Sequence, residues 1–162
     1  IKNTLFPIEL IPVKAVLSCI PSLLISLGIL EAALICCGKF SPVNLLVVIV
    51  ILEQLFFCFG LCWLLSALNI FVKDLGQIIP VISLFLMLVS PIAYTIDMVP
   101  PNLMPFMYFN PLFYLIMLYR VVLLGGKFPW EQFLVFSVVT VVLFYLGYSV
   151  FNRLKRVFSD EC

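Results

Sequence analysis

The chain has 162 residues, 65% of them hydrophobic and 10% charged, with a formal net charge of +1. Soluble domains run near half apolar and a quarter charged, so a water-soluble globule of this length has too little interior to hide the surplus. A near-zero charge excludes a strongly basic nucleic-acid face, and a chain without His lacks the commonest general base and metal ligand.

The composition therefore predicts an all-α, polytopic membrane protein. The start at Ile1, without Met and without a signal-peptide pattern, reads as an N-terminal truncation. Residues 1–12 are polar and Pro-containing. Pro7 and Pro12 are expected to make them a stiff, helix-interrupting segment.

A helix needs about 20 apolar residues to cross a hydrocarbon core of ~30 Å. Four runs meet that length: 13–37, 43–72, 78–96 and 131–152. Pro21 falls early in the first run and is expected to kink or delay its helix, and Glu31 lies toward its far end. The second run makes ~45 Å of helix, so it must tilt or project. Pro80 stands near the start of the third run and Pro91 near its end.

Residues 100–124 are ambiguous. Pro105 and Pro111 interrupt them, and Arg120 sits in their C-terminal half. The uninterrupted piece Leu112–Leu124 reaches ~20 Å, too short to cross. Two short helices dipping in from one face, a re-entrant hairpin, fit this pattern. Four crossings from a cytoplasmic start put Lys2, Lys14, Lys73, Arg153, Lys155 and Arg156 inside, and Lys39, Arg120 and Lys127 outside. That bias follows the positive-inside rule. Both ends of the chain, including the tail 153–162, are then cytoplasmic, with Trp130, Tyr108 and Phe109 at the outer interface.

No Walker-type phosphate loop is present. Gly125-Gly126-Lys127 lacks the first Gly and the closing Ser/Thr and reads as a turn. No Ser–His or Cys–His pair can form. Five of the six Cys (Cys19, Cys36, Cys37, Cys58, Cys62) lie in apolar runs as small packing groups. Cys58 and Cys62 are a helical turn apart, but nothing completes a metal site. The expectation is therefore no catalytic residue, no metal and no cofactor, with any energy coming from a partner or a gradient.

Charge at membrane depth is costly and demands a partner or a role. Glu53, about a third of the way along the second run, is read as a channel-facing or helix-packing contact, or a carboxyl bonded to the next helix. A proton relay is the sharper alternative, and no acid- or His-rich chain accompanies it. Glu31 is expected to reach Lys39 or water. Arg120 either snorkels or meets an anionic or sugar group. Tyr94, Tyr108, Phe109, Tyr114 and Tyr119 offer apolar faces with polar tips suited to sugars, or form an ordinary interfacial belt.

Four ordered motifs carry a resemblance. Ile1-Lys2 with Phe6-Pro7, Glu9 and Pro12 opens the chain. Ala67-Leu68-Asn69 precedes Lys73-Asp74. Ser90-Pro91 precedes Tyr94. Phe109-Asn110-Pro111-Leu112 precedes Tyr119-Arg120. Together they resemble type-2 ABC exporter permeases of the branch that exports polysaccharides and polyol phosphates, such as O-antigen, capsule or teichoic acid. Lys73 departs from that pattern, where Arg is usual, keeping charge but losing a bidentate donor.

The resemblance implies a six-span permease of the bacterial inner membrane whose third to sixth spans are the four runs above. It implies a homodimer with a second permease copy, a cytoplasmic ATP-binding subunit that hydrolyses ATP, and a lipid-linked glycan as cargo. It places ATPase coupling at Phe6, Pro7, Glu9, Pro12, Lys73 and Asp74, and an outer gate at 100–124. The candidate substrate path is Tyr94, Tyr108, Phe109, Tyr114, Tyr119, Arg120 and Glu53. A drug- or lipid-exporting permease of the same superfamily shares this topology. A passive channel or membrane scaffold without an ATPase is the alternative from another class.

Overall fold

The structure is a computed structural model and describes residues 10–72, 74–92 and 94–159. Phe6, Pro7, Glu9 and Lys73 of the expected coupling set lie outside the described residues. The protein is an all-α, multi-pass membrane protein. Its helices are α1 (Leu10–Cys36), α2 (Val47–Phe71), α3 (Leu75–Val89), α4 (Met104–Tyr108), α5 (Pro111–Leu124) and α6 (Trp130–Ser159), with 3-10 turns at Pro42–Leu46, Ile96–Met98 and Pro101–Leu103.

Among the described residues three helical stretches are long and apolar enough to cross a bilayer, Leu10–Cys36, Pro42–Asn69 and Trp130–Leu154, or four if the bent pair Pro101–Tyr108 and Pro111–Leu124 counts as one span. α1 runs unbroken through Pro21. Pro12 corrects the expectation of a helix-interrupting segment. It lies in the first turn of α1 and is buried. Proline is tolerated there because a first-turn N–H has no intrahelical acceptor to lose.

α3 is shorter than its apolar run. It has 15 residues, ~22 Å, and stops at Val89 rather than continuing to 96. Pro91 is the cause: a residue before proline is pushed out of the α region, and Ser90 is extended at φ −79°, ψ 141°. The same logic breaks the aromatic region. Asn110, before Pro111, is extended at φ −87°, ψ 113°, and its side chain accepts from Leu112 N at 3.0 Å as an N-cap. The stretches Pro101–Tyr108 and Pro111–Leu124 meet at 99°, an open right angle rather than a closed hairpin. α5 ends at Gly125, whose φ of +76° is the left-handed cap that a side chain would strain. The cap makes the Gly125–Lys127 turn a fixed corner.

The core forms where α2, α5 and α6 meet. Val50, Phe57, Leu115, Leu118, Val122 and Phe136 are buried together. Phe57 and Phe136 stack at 5.3 Å between centroids. A second cluster of Trp63, Ala67 and Phe151 joins α2 to the C-terminal half of α6. Between them the helix backbones touch. A Cβ built on Gly60 would lie 2.7 Å from Phe144 N, and one on Gly147 would strike the carbonyl oxygen of Gly60. Helices in lipid gain little from apolar burial, so close approach at small residues supplies dispersion contacts instead. α3 has no buried residue, and its firmest attachment is at its C-terminal end.

Candidate functional site

Polar side chains of the apolar regions form three hydrogen-bonded groups that tie helices together. The first is the bend after α3, an elbow over Ser90–Tyr94. Helix ends leave carbonyls short of donors, and here side chains add to the backbone bond from Ser90 N to Leu86 O at 2.9 Å. Ser90 Oγ donates to Leu86 O at 2.6 Å, and the Tyr94 hydroxyl to Val89 O at 2.7 Å. α5 then grips the elbow twice. Asn110 Nδ2 donates to Ser90 Oγ at 2.8 Å, while Arg120 donates to Pro91 O at 2.8 Å and Tyr94 O at 3.1 Å. Asn110 uses both ends of its amide, capping its own helix with Oδ1 and holding α3 with Nδ2. Ser90 and Pro91 are almost fully buried.

The second place is the C-terminal end of α1. Asn44, 1% exposed, accepts from Ser41 N at 3.3 Å and donates to Glu31 Oε2 at 3.3 Å and Leu123 O at 3.4 Å. Glu31 thus meets an amide rather than Lys39, and one buried side chain ties α1 and the turn before α2 to the end of α5. The third lies among α2, α5 and α6. Ser137 Oγ donates to Glu53 Oε1, and the Tyr119 hydroxyl donates to Gln54 Oε1. Glu53 Oε2 and Thr140 Oγ1 are buried there without a partner.

The expected path residues therefore divide. Tyr94 and Phe109 line one hollow of ≈ 560 Å³ between α3 and α4, with Phe106, Met107 and Asn110. Phe109 is 89% exposed. The Tyr114 hydroxyl donates to Tyr108 O at 2.9 Å, and both rings flank Phe113 edge-on, which fixes the corner between α4 and α5. Tyr119 and Glu53 belong to the α2–α5–α6 packing, away from that hollow. Arg120 is spent on backbone carbonyls. Pro12 packs in α1, while Asp74 is exposed and its carbonyl receives the first hydrogen bonds of α3. Among the described residues no cluster of His, Cys, Asp or Glu could hold a metal ion.

Residues outside the expected set carry much of this geometry: Asn44, Gln54, Ser90, Asn110 and Ser137. A polar residue stranded in an apolar run is the signal for Asn44, Gln54 and Ser137. The pairs Ser-Pro and Asn-Pro are the signal for the other two.

The family model described as ABC-2 type transporter matches residues 8–124. The chain belongs to the ABC-2 type transporter family. The match includes the elbow and its Asn110 and Arg120 grips, and α6 follows it. Among curated proteins, this ABC-2 type chain is similar to an O-antigen export system permease protein RfbA of Klebsiella pneumoniae, 27% identical over 162 residues. A second protein so named from that organism is 26% identical. One from Myxococcus xanthus is 22% identical. The alignments cover 99%, 99% and 96% of this chain. The chain spans 62% of the length of these relatives.

Proposed function

We propose that this chain is part of the membrane subunit of an ATP-driven exporter that moves a lipid-linked polysaccharide or polyol phosphate polymer across the bacterial inner membrane. Similarity over 99% of this chain, and 62% of the relatives' length, to O-antigen export permeases carries the proposal. ATP is hydrolysed by a separate cytoplasmic ATP-binding subunit, and a second permease copy completes the path. Both ends of the chain are cytoplasmic, and α4 with α5 dips in from the outer face.

The chemistry of the site supports this reading. A polymer needs a continuous surface rather than a sealed pocket. The hollow between α3 and α4 presents aromatic faces with the Tyr94 ring at its edge, a surface on which sugar rings stack. Asp74, with Lys73 and the segment from Phe6 through Pro12, is the proposed contact with the ATP-binding subunit.

The deciding experiment removes the permease from cells and restores it. Loss must leave glycan on its lipid carrier inside the cell, and the restored protein must return glycan to the surface and co-purify an ATP-binding subunit. Drug sensitivity with normal surface glycan would assign the chain to another cargo. Labelling a variant whose sole cysteine is Cys162 tests orientation: reaction with an impermeant reagent in intact cells would reverse it.

A further inference from the structure

α6 carries a polar face that none of the three networks uses. Tyr145, Tyr148, Ser149, Asn152 and Arg153 line a hollow of ≈ 300 Å³. Residues 145, 148, 149 and 152 follow the i, i+3, i+4, i+7 spacing of one helix face. Tyr145 is 73% exposed. Tyr148 is held in place by Trp63 of α2, ring centroids 5.4 Å apart.

Arg153 sets the chemistry. The apolar stretch of α6 is Trp130–Leu154, so Arg153 stands at its last turn, where hydrocarbon gives way to headgroups. A long helical side chain lies back over the turn N-terminal to its own Cα. Consistent with that, Arg153 lines the hollow together with Ser149 and Asn152 of the preceding turn. An unpaired cation there is unfavourable. The sequence has no Asp or Glu within four residues of Arg153, and Lys155 and Arg156 follow it. Among the described residues no carboxylate pairs with it. A phosphate of the surrounding headgroups is an anion within reach of that last turn.

We propose that this hollow binds the headgroup phosphate of an anionic phospholipid in the leaflet at the C-terminal end of α6. Arg153 supplies the charge and a forked pair of N–H donors suited to phosphate oxygens. Ser149, Asn152 and the two tyrosine hydroxyls add neutral donors, and the acyl chains lie along the apolar length of the helix. Lys155 and Arg156 raise the local concentration of anionic lipid. The site is independent of the cargo proposed above and stands whether or not that cargo is a glycan.

The test is retention of lipid by the purified protein from vesicles of equal phosphatidylglycerol and phosphatidylcholine, read by native mass spectrometry. The wild type should retain phosphatidylglycerol selectively. Arg153→Gln should lower that retention about tenfold, the scale of a lost charge-assisted hydrogen bond. Arg153→Lys should keep most of it, and Ser149→Ala with Asn152→Ala should give an intermediate loss while folding normally. Equal retention of the two lipids by the wild type would overturn the site. So would undiminished selectivity in Arg153→Gln, or displacement of the lipid by millimolar inorganic phosphate.

Discussion

Gly60 of α2 and Gly147 of α6 meet backbone to backbone, with no room for a methyl group on either. The crossing separates the Phe57–Phe136 contact from the Trp63–Phe144 contact, where the centroids are 5.3 and 5.2 Å apart. Both aromatic layers depend on the distance that these two residues permit.

Gly147→Ala should therefore destabilise the protein by about 1–3 kcal/mol, the range for overpacking a filled interior, and Gly147→Val by more. Gly28→Ala is the control, since nothing lies within 4 Å of its added methyl, and alanine is the better helix former. Thermal melts followed by tryptophan fluorescence check this directly, because Trp63 sits in the affected layer. A Gly147→Ala melt equal to that of Gly28→Ala would contradict the close crossing.

Arg120 should matter for its geometry and not only for its charge. Arg120→Lys keeps the cation but has one nitrogen to span Pro91 O and Tyr94 O. Both Arg120→Lys and Arg120→Ala should speed hydrogen exchange at residues 90–92, with the alanine variant faster. Asn110→Ala should act on the same segment by leaving buried Ser90 without its donor, at about 1–3 kcal/mol. The Arg120→Ala and Asn110→Ala effects should be non-additive, since both hold one elbow.

Glu53 separates a packing role from proton transfer. Glu53→Gln retains an oxygen to accept from Ser137, so folding and the export proposed above should stay near wild type. Glu53→Ala and Ser137→Ala should each destabilise by about 1–3 kcal/mol. Abolished export in well-folded Glu53→Gln would move this carboxyl into a proton pathway.

Asn44 gives the sharpest contrast between two small changes. Asn44→Ala loses three hydrogen bonds. Asn44→Asp keeps the acceptor for Ser41 N but replaces the amide donor to Glu31 with a second carboxyl. The aspartate variant should be the less stable of the two, because a second carboxyl then faces Glu31 where an amide donated to it. Melting temperatures of the two variants decide it.

Much of this architecture can be read from the chain because the bilayer imposes it: apolar length and the prolines give most of the helices and the right-angle break after Phe109. The elbow was half visible. Pro91 announces a stop, but its distance from the end of the apolar run hides how early α3 ends, because residues 92–96 are as apolar as helix. Pro12 misled for the opposite reason, since proline reads as a breaker until the helix is known to begin beside it. The partners of Arg120 and Asn44 were not legible. Each bonds to backbone carbonyls brought close by folding, and every residue has a carbonyl, so composition carries no trace of the choice. The Gly60–Gly147 contact was hidden by distance, as single glycines 87 positions apart have no local pattern.

Asn110 and Arg120 hold the Ser90–Tyr94 bend from opposite ends of a helical stretch of ~15 Å. One anchor would leave a swivel, whereas two define an axis and fix the bearing along which α3 departs. A sliding or rolling α5 must carry that bearing with it, so displacement at α5 reaches the far tip of α3 amplified by the length of the rod.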